Sequence, residues 1–299
     1  MPGILYVVAT PIGNLEDITA RAARVLNEVD LIAAEDTRHS RILIDSLKKK
    51  RDVEDTPPPN VKTPVFSCHK FNEGKRGDFF VGELLAGRSI ALISDAGTPC
   101  ISDPGFRLVQ AAAAAGIEVV PVCGASAVVA ALSVCGFEAS RFTFLGFLPR
   151  GKAAAGAIAA AFAGGHNEVA VFYESPRRIA ATLQMVDENF PTAMVCLCND
   201  ISKKFERIYR GSAADVLAEI SDNPNAEKGE YTCVVHFVTE TSAKSMQSAT
   251  FSIEARLVDI IIKTGGTLKD ASRELHAADG VLSKKEIYAA MLRLKEMFE

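Results

Sequence analysis

Ile90-Ala91-Leu92-Ile93-Ser94-Asp95-Ala96-Gly97-Thr98-Pro99 sets four unbroken apolar residues directly against a loop of small, acidic and turn-forming ones. A short apolar run without alternation, stopped by such a loop, reads as a strand buried on both faces, the habit of parallel sheets. The loop continues as Cys100-Ile101-Ser102-Asp103-Pro104-Gly105. Open α/β sheets bind ligands beyond the carboxyl ends of their strands, and a carboxylate there, Asp95, can accept hydrogen bonds from a ribose or an amino group. Its small neighbours Ala96, Gly97 and Thr98 leave room for a flat ring and exposed amides. A plainer reading gives Asp103-Pro104-Gly105 the task of capping and starting the next helix.

The same strand, loop, helix rhythm extends to both sides. Residues 4–9 form a first strand, and Asp17 is placed to cap a helix whose Ile18, Ala22, Val25, Leu26 and Val29 share one face. Residues 31–34 repeat the strand and 40–49 the helix, before Pro57-Pro58-Pro59-Asn60 forces an extended loop. Strands at 64–68, 90–94 and 117–122 alternate with helices at 77–86 and 106–115, which predicts a mostly parallel sheet with covering helices. A second α/β series begins at Gly124 with an alanine-rich helix, a strand at 142–145, a turn at 146–151 and another helix of small residues. Strands follow at 169–173, 193–198 and 231–238, and Ser175-Pro176 is a good helix start. Their closer spacing predicts a mixed or antiparallel sheet. Residues 239–250 look like a linker, and 251–263, 268–278 and 284–298 carry three helical patterns. The fold class is therefore α/β, with domains expected at 1–122 and 123–240 and a helical segment at 251–299.

Composition narrows the function. The chain has 299 residues, 48% of them hydrophobic and 23% charged, which is ordinary for a soluble globular protein. Its net charge of -4 offers no global field to draw it to nucleic acid or an anionic membrane, so any RNA contact needs a local patch. Residues 1–12 lack a basic leader and read as a strand rather than a signal peptide. No apolar run reaches the roughly 18 residues that cross a bilayer. Seven cysteines without a CxxC pair, lying mostly in apolar runs, read as buried free thiols of a reducing cytoplasm. His39, His69, His166, His236 and His276 show no ligand spacing, so no metal is expected.

Three loops invite ligands. Gly146-Phe147-Leu148-Pro149-Arg150-Gly151-Lys152-Ala153 nearly spells a phosphate-binding P-loop, but Ala153 has no oxygen for Mg²⁺ and Pro149 removes a backbone donor. Ala9-Thr10-Pro11-Ile12-Gly13-Asn14 replaces a dinucleotide fingerprint after the first strand, leaving either a tight turn or a close backbone approach to a ligand. Cys123-Gly124-Ala125-Ser126-Ala127 is a second small-residue loop, able to face Asp95 across an adenosine-sized pocket.

Taken in order, residues 5–19 with Thr10-Pro11-Ile12-Gly13-Asn14, then Ala34-Glu35-Asp36-Thr37-Arg38 and the 94–105 loop resemble the tetrapyrrole methylase family, and within it the ribosomal RNA small subunit methyltransferase I branch. Phe144-Leu145-Gly146-Phe147-Leu148-Pro149 and Phe172-Tyr173-Glu174-Ser175-Pro176-Arg177-Arg178 continue the likeness. It implies two α/β domains with S-adenosylmethionine in the cleft between them, in a cytoplasmic homodimer with no membrane partner. It also implies the acceptor, the 2′-hydroxyl of a cytidine in the decoding region of 16S ribosomal RNA, within the small ribosomal subunit. Carried over position by position, the cofactor-binding residues are Ile12, Asp95, Ala96, Gly97, Thr98, Ser126 and Ala127, with Tyr173, Cys198 and Thr232 from the second domain. Where the family has Pro-Gly-Pro-Ser, this chain has Cys123-Gly124-Ala125-Ser126. Where it has Arg-Glu-Leu-Thr-Lys, this chain has Cys198-Asn199-Asp200-Ile201-Ser202-Lys203, losing an arginine-glutamate pair.

Methyl transfer from a sulfonium is an in-line displacement that mainly requires alignment. A ribose hydroxyl is a poor nucleophile, and a group that removes its proton helps by roughly 10² to 10⁴. Asp36, Glu174 and His69 are the candidates, while Arg38 and Arg177 could hold RNA phosphates as fixed forks. The alternative for both acid and arginine sets is a pair of internal ion pairs. Lys48-Lys49-Lys50-Arg51 is a basic run that fits an RNA patch or a solvated helix end. Two competing functions remain: the same fold acting on a corrin or siroheme precursor, whose enzymes open with a glycine-rich phrase ending in Gly-Asp, and a silent RNA-binding assembly module.

Overall fold

Each short apolar run of the first half becomes one strand of a single sheet: β1 Leu5–Val8, β2 Leu31–Ala34, β3 Val65–Ser67, β4 Ile90–Ile93 and β5 Val119–Val122. The structure is a computed structural model that describes residues 1–49, 63–69, 73–163, 169–237, 253–278 and 282–298. The strands lie in the order β3-β2-β4-β1-β5 and every pairing is parallel. Their apolar runs are continuous because helices cover both faces. On β4, Ile90 and Leu92 join Phe80, Leu84, Leu108 and Ala112 of α3 (Glu73–Leu85) and α4 (Phe106–Ala114). Ala91 and Ile93 turn the other way, onto Ala22, Val25 and Leu26 of α1 (Ala20–Glu28), the face where α2 (Thr37–Lys49) also packs. Fully burying side chains of this size contributes roughly 1.5–3 kcal/mol each, which fixes the two-residue alternation of the strands.

The expectation that Asp17 caps the first helix is corrected. Thr19 is the cap: its hydroxyl accepts the Ala22 N–H at 3.1 Å, while Asp17 sits in a 3₁₀ turn, Leu15–Asp17, and receives the Ser202 hydroxyl. A threonine two residues closer to the helix satisfies the orphan amide directly, and the aspartate is left for a long-range contact.

The second half builds a five-stranded sheet from β6 Thr143–Phe147, β7 Val169–Glu174, β8 Met194–Asn199, β9 Arg207–Ser212 and β10 Tyr231–His236, ordered β6-β7-β10-β8-β9. Only β6 and β7 are parallel, so the sheet is mixed. One face carries α6 (Ala153–Phe162), α7 (Pro176–Asn189) and α8 (Ala213–Ser221), with Phe172, Leu197 and Val235 packed on Ile158, Leu183 and Val216. The other face takes α5 (Ala127–Val134), whose Val128 and Ala131 meet Val171, Cys196 and Val234. Neither β9 nor α8 is among the elements expected from sequence. Arginines at both positions 207 and 210 of an edge strand mask its pattern, yet Ser212 and Asp215 form a reciprocal capping box that is legible in the chain.

Residues Met1–Phe237 form one compact unit and Val238–Glu299 a second. In the second, α9 (Ile253–Thr264), α10 (Leu268–Ala278) and α11 (Lys284–Phe298) close around Leu257, Ala271, Leu275, Ile287 and Ala290. Arg293 Nε donates to Glu254 Oε1 at 2.6 Å, tying its last helix to its first. The proline stretch at 57–60, residues 50–51 of the basic run and the linker at 239–250 lie outside the described residues.

Candidate functional site

Three strand ends are sewn together at the carboxyl edge of the first sheet. The Thr10 N–H donates to the Gly97 carbonyl at 2.9 Å and the Gly97 N–H to the Thr10 carbonyl at 3.0 Å, joining the loops after β1 and β4. Gly97 has φ +80, a left-handed backbone that glycine adopts at least cost. A Cβ on Gly124 would stand 2.9 Å from the Ala9 Cβ, so the loop after β5 presses on the first as closely as a hydrogen permits. The Thr98 hydroxyl donates to the Ala125 carbonyl at 3.3 Å, and Ser126 caps α5 by accepting the Val129 N–H.

These loops form one wall of a cavity of about 300 Å³. Ile12, Ala96, Gly97, Thr98, Ser126 and Ala127 line it from the first-sheet side, and Tyr173 and Thr232 from the second sheet. Eight of the expected cofactor residues are thus brought together. Asp95 and Cys198 are not among the lining residues. Asp95 instead accepts the Asp36 N–H at 3.1 Å, lies 3.2 Å from His39 Nδ1 and donates its own N–H to Glu35 at 3.4 Å, linking the ends of β2 and β4. Cys198 is fully buried beneath α5 beside Cys196, whose hydrogen bond and the surrounding burial push its thiol far up.

The candidate proton acceptors are scattered. Asp36 follows β2 and grips Arg38 with both oxygens, at 2.7 and 3.2 Å, and these hydrogen bonds hold its carboxyl well below the usual range. Arg38 therefore spends its fork on Asp36, though its side chain is 86% exposed. His69 follows β3 and is half-buried, and Arg177 is exposed at the start of α7. Glu174 does line the cavity, but its carboxylate accepts the Ser175 N–H at 2.8 Å and the Thr182 hydroxyl at 2.8 Å, and pairs with Arg178 at 3.2 Å. The internal ion pairs of the alternative reading are present, with Arg178 rather than Arg177 on Glu174. Arg178 also donates to the Leu148 and Pro149 carbonyls, so Glu174 holds the β6–α6 turn through it. Ser175 makes no side-chain cap on α7; Glu174 takes the free amide instead.

Of the lining residues that the sequence reading did not assign to the site, Phe147 and Asp103 matter most. Phe147, 61% exposed, stands 5.5 Å from the Tyr173 ring, and Phe144 braces that ring from 5.1 Å. Asp103 also lines the cavity, and burial, with Glu35 and Asp95 nearby, pushes its carboxyl up to about 6. It does not cap the next helix, because the α4 cap is Gly105, at φ +119 and without a side-chain bond. Burial raises the Tyr173 phenol, and the charge of Asp103, which lines the same cavity, raises it further.

The segment at residues 199–203 carries ion pairs of its own. Lys203 Nζ lies 2.9 Å from Asp200 and 3.0 Å from Glu230, and its stem covers Gly13, where a Cβ would meet Lys203 Cγ at 2.3 Å. Among the described residues no three His, Cys, Asp or Glu side chains are grouped to hold a metal ion, and no helix is long and apolar enough to cross a membrane.

Residues 4–217 match the model of the tetrapyrrole (corrin/porphyrin) methylases, and the chain belongs to that family of methyltransferases. At closer range it is similar to the Ribosomal RNA small subunit methyltransferase I of Pasteurella multocida, 42% identical over 236 residues and 79% of each chain. It is similar to the protein of that name from Synechocystis sp. over 98% of this chain and 99% of the relative, at 36% identity. Among solved structures, the uroporphyrin-III C-methyltransferase of Thermus thermophilus complexed with S-adenyl homocysteine shares the fold, with a TM-score of 0.51 and 15% identity over 80% of this chain and 100% of that one.

Proposed function

We propose that this chain transfers a methyl group from S-adenosylmethionine to the ribose 2′-hydroxyl of a cytidine in the decoding region of 16S ribosomal RNA. The observation that carries the reading is the near end-to-end similarity to relatives named as ribosomal RNA small subunit methyltransferases, joined to a cavity at the carboxyl ends of parallel strands. The residues present suit the cofactor. Gly97 takes the left-handed φ of +80 that turns its loop along the cavity, Gly124 lets the loop after β5 close on Ala9 where a Cβ would intrude, and Thr98, Ser126 and Thr232 offer hydroxyls to the cofactor's polar groups. When bound, the cofactor supplies a methyl on a sulfonium, whose displacement leaves a neutral thioether. The chain's part is to hold donor and acceptor in line, exclude water and accept one proton.

Ile12, Ala96, Gly97, Thr98, Ser126, Ala127, Tyr173 and Thr232 hold the cofactor in this reading, and Asp95 acts by fixing the loop from behind. Phe147 offers a flat apolar face on which an unstacked base could lie. Arg177, exposed at the start of α7, offers its fork to a phosphate, and Arg38 serves only if it leaves Asp36. A cytoplasmic homodimer acting on the small subunit completes the proposal. Incubation with labelled S-adenosylmethionine and small subunits lacking the modification tests it. Label in 16S RNA is expected, and label in a porphyrinoid but none in subunits would move the acceptor to the corrin or siroheme class.

A further inference from the structure

We infer that Asp103 takes the proton of the acceptor hydroxyl, an assignment that rests on the methyl-transfer reading above and supplies the residue it lacks. Three carboxylates line the cavity: Asp103, Glu174 and Glu230. Glu174 is saturated by Ser175, Thr182 and Arg178, and Glu230 is paired with Lys203 at 3.0 Å. Among the described residues Asp103 has the Ser94 hydroxyl as its one hydrogen-bond partner, and helix α4 takes its cap from Gly105. Its carboxylate is left for the cavity.

The backbone that presents it is strained. Cys100 and Ser102 sit at φ +71 and +67, left-handed values that cost of order 1–3 kcal/mol each in residues other than glycine. Such a cost persists where a loop must aim a side chain, and between them these two bends turn residues 101–103 toward the cavity, which all three line. The titratable groups that face Asp103 are Glu35 at the end of β2, Asp95 after β4 and Tyr173 of β7. None of these is a cation, the Ser94 hydroxyl alone of the groups named favours the charged form, and burial with the acidic neighbours outweighs it and brings the carboxyl to about 6. A base with that value is charged at neutral pH yet strong enough to share a proton in the transition state. Asp36, held far lower by Arg38, is a weaker base.

The step balances without another reactant. An oxygen lone pair of the 2′-hydroxyl forms the C–O bond, and the S–CH₃ bond breaks with its pair left on sulfur. The O–H bond gives its proton to an Asp103 carboxylate oxygen. One sulfonium charge and one carboxylate charge disappear together, which favours the step in a cavity shielded from water.

Asp103→Asn and Asp103→Glu test the assignment. Single-turnover transfer to small subunits should fall in the wild type below the carboxyl's value of about 6. Asp103→Asn should lose roughly 10²- to 10⁴-fold and its residual rate should lack that acid limb. Asp103→Glu should recover part of the rate, with S-adenosylmethionine affinity by calorimetry and thermal melting showing both variants folded and loaded. Independently of turnover, a protonated-carboxyl infrared band should titrate near 6 in the wild type and be missing from Asp103→Asn. Transfer by Asp103→Asn at the wild-type rate, or an acid limb that survives the change, overturns the assignment alone. Wild-type protein that binds the cofactor but methylates no subunits overturns the acceptor reading, and the assignment with it.

Discussion

Two aspartates on neighbouring loops are driven in opposite directions. Asp36 is held low by the hydrogen bonds and charge of Arg38, whereas Asp103 is raised to about 6 by burial and by Glu35 and Asp95. A folded-state value above the unfolded one means that the folded protein prefers the protonated acid. The stability this group contributes is fully present below its unfolded value near 4 and is lost as pH rises through about 6. Asp103→Asn is therefore expected to melt higher than the wild type at pH near 8, with the difference shrinking as pH falls toward about 4. Melting curves across that range check it, and a difference independent of pH would contradict the raised value. The sequence shows an aspartate before Pro104-Gly105, a pattern equally suited to capping a helix. Only the fold reveals that Gly105 ends up as the cap and that the carboxylate is left over.

At the scale of elements, most of the architecture is legible because burial writes itself into the chain. Four-residue runs such as Leu31–Ala34 and Ile90–Ile93 are buried throughout, so their lack of alternation announces a sheet covered on both faces. β9 escapes because an edge strand with two of its six residues exposed, both arginines, need not be apolar, and its length overlaps that of a loop. The role of Glu174 escapes for a different reason. Its partner Thr182 lies eight residues on, two turns along α7, and a helix must exist before that spacing means contact. Glu174 is 2% exposed and Arg178 lies one-third in water. Removing the carboxylate in Glu174→Ala orphans the arginine and the Ser175 amide and should cost about 3 kcal/mol of unfolding free energy, as urea titration would read it. A loss below about 1 kcal/mol would return Glu174 to the list of proton acceptors rather than anchors.

For the whole molecule, we propose that the two sheets act as the two α/β domains foreseen at 1–122 and 123–240, followed by the helical segment at 251–299. All residues lining the cavity belong to Met1–Phe237, and α9 to α11 carry a core of their own. A chain ending at Phe237 is expected to bind S-adenosylmethionine with the affinity of the full chain, measured by calorimetry, and a large loss would assign the helices a part in that site. The fold and the family could be anticipated from ordered motifs, since Thr10-Pro11-Ile12-Gly13-Asn14 and the 94–105 loop keep their spacing along one line of sequence. The cavity could not, because its second wall comes from Tyr173 and Thr232, far along the chain and joined to the first wall only by folding. The most direct test is to digest 16S RNA from wild-type-treated, previously unmodified small subunits and map the methyl by mass spectrometry. A single methyl on the ribose of a decoding-region cytidine is expected, and a methyl on a base, on another RNA or on none would contradict the function proposed.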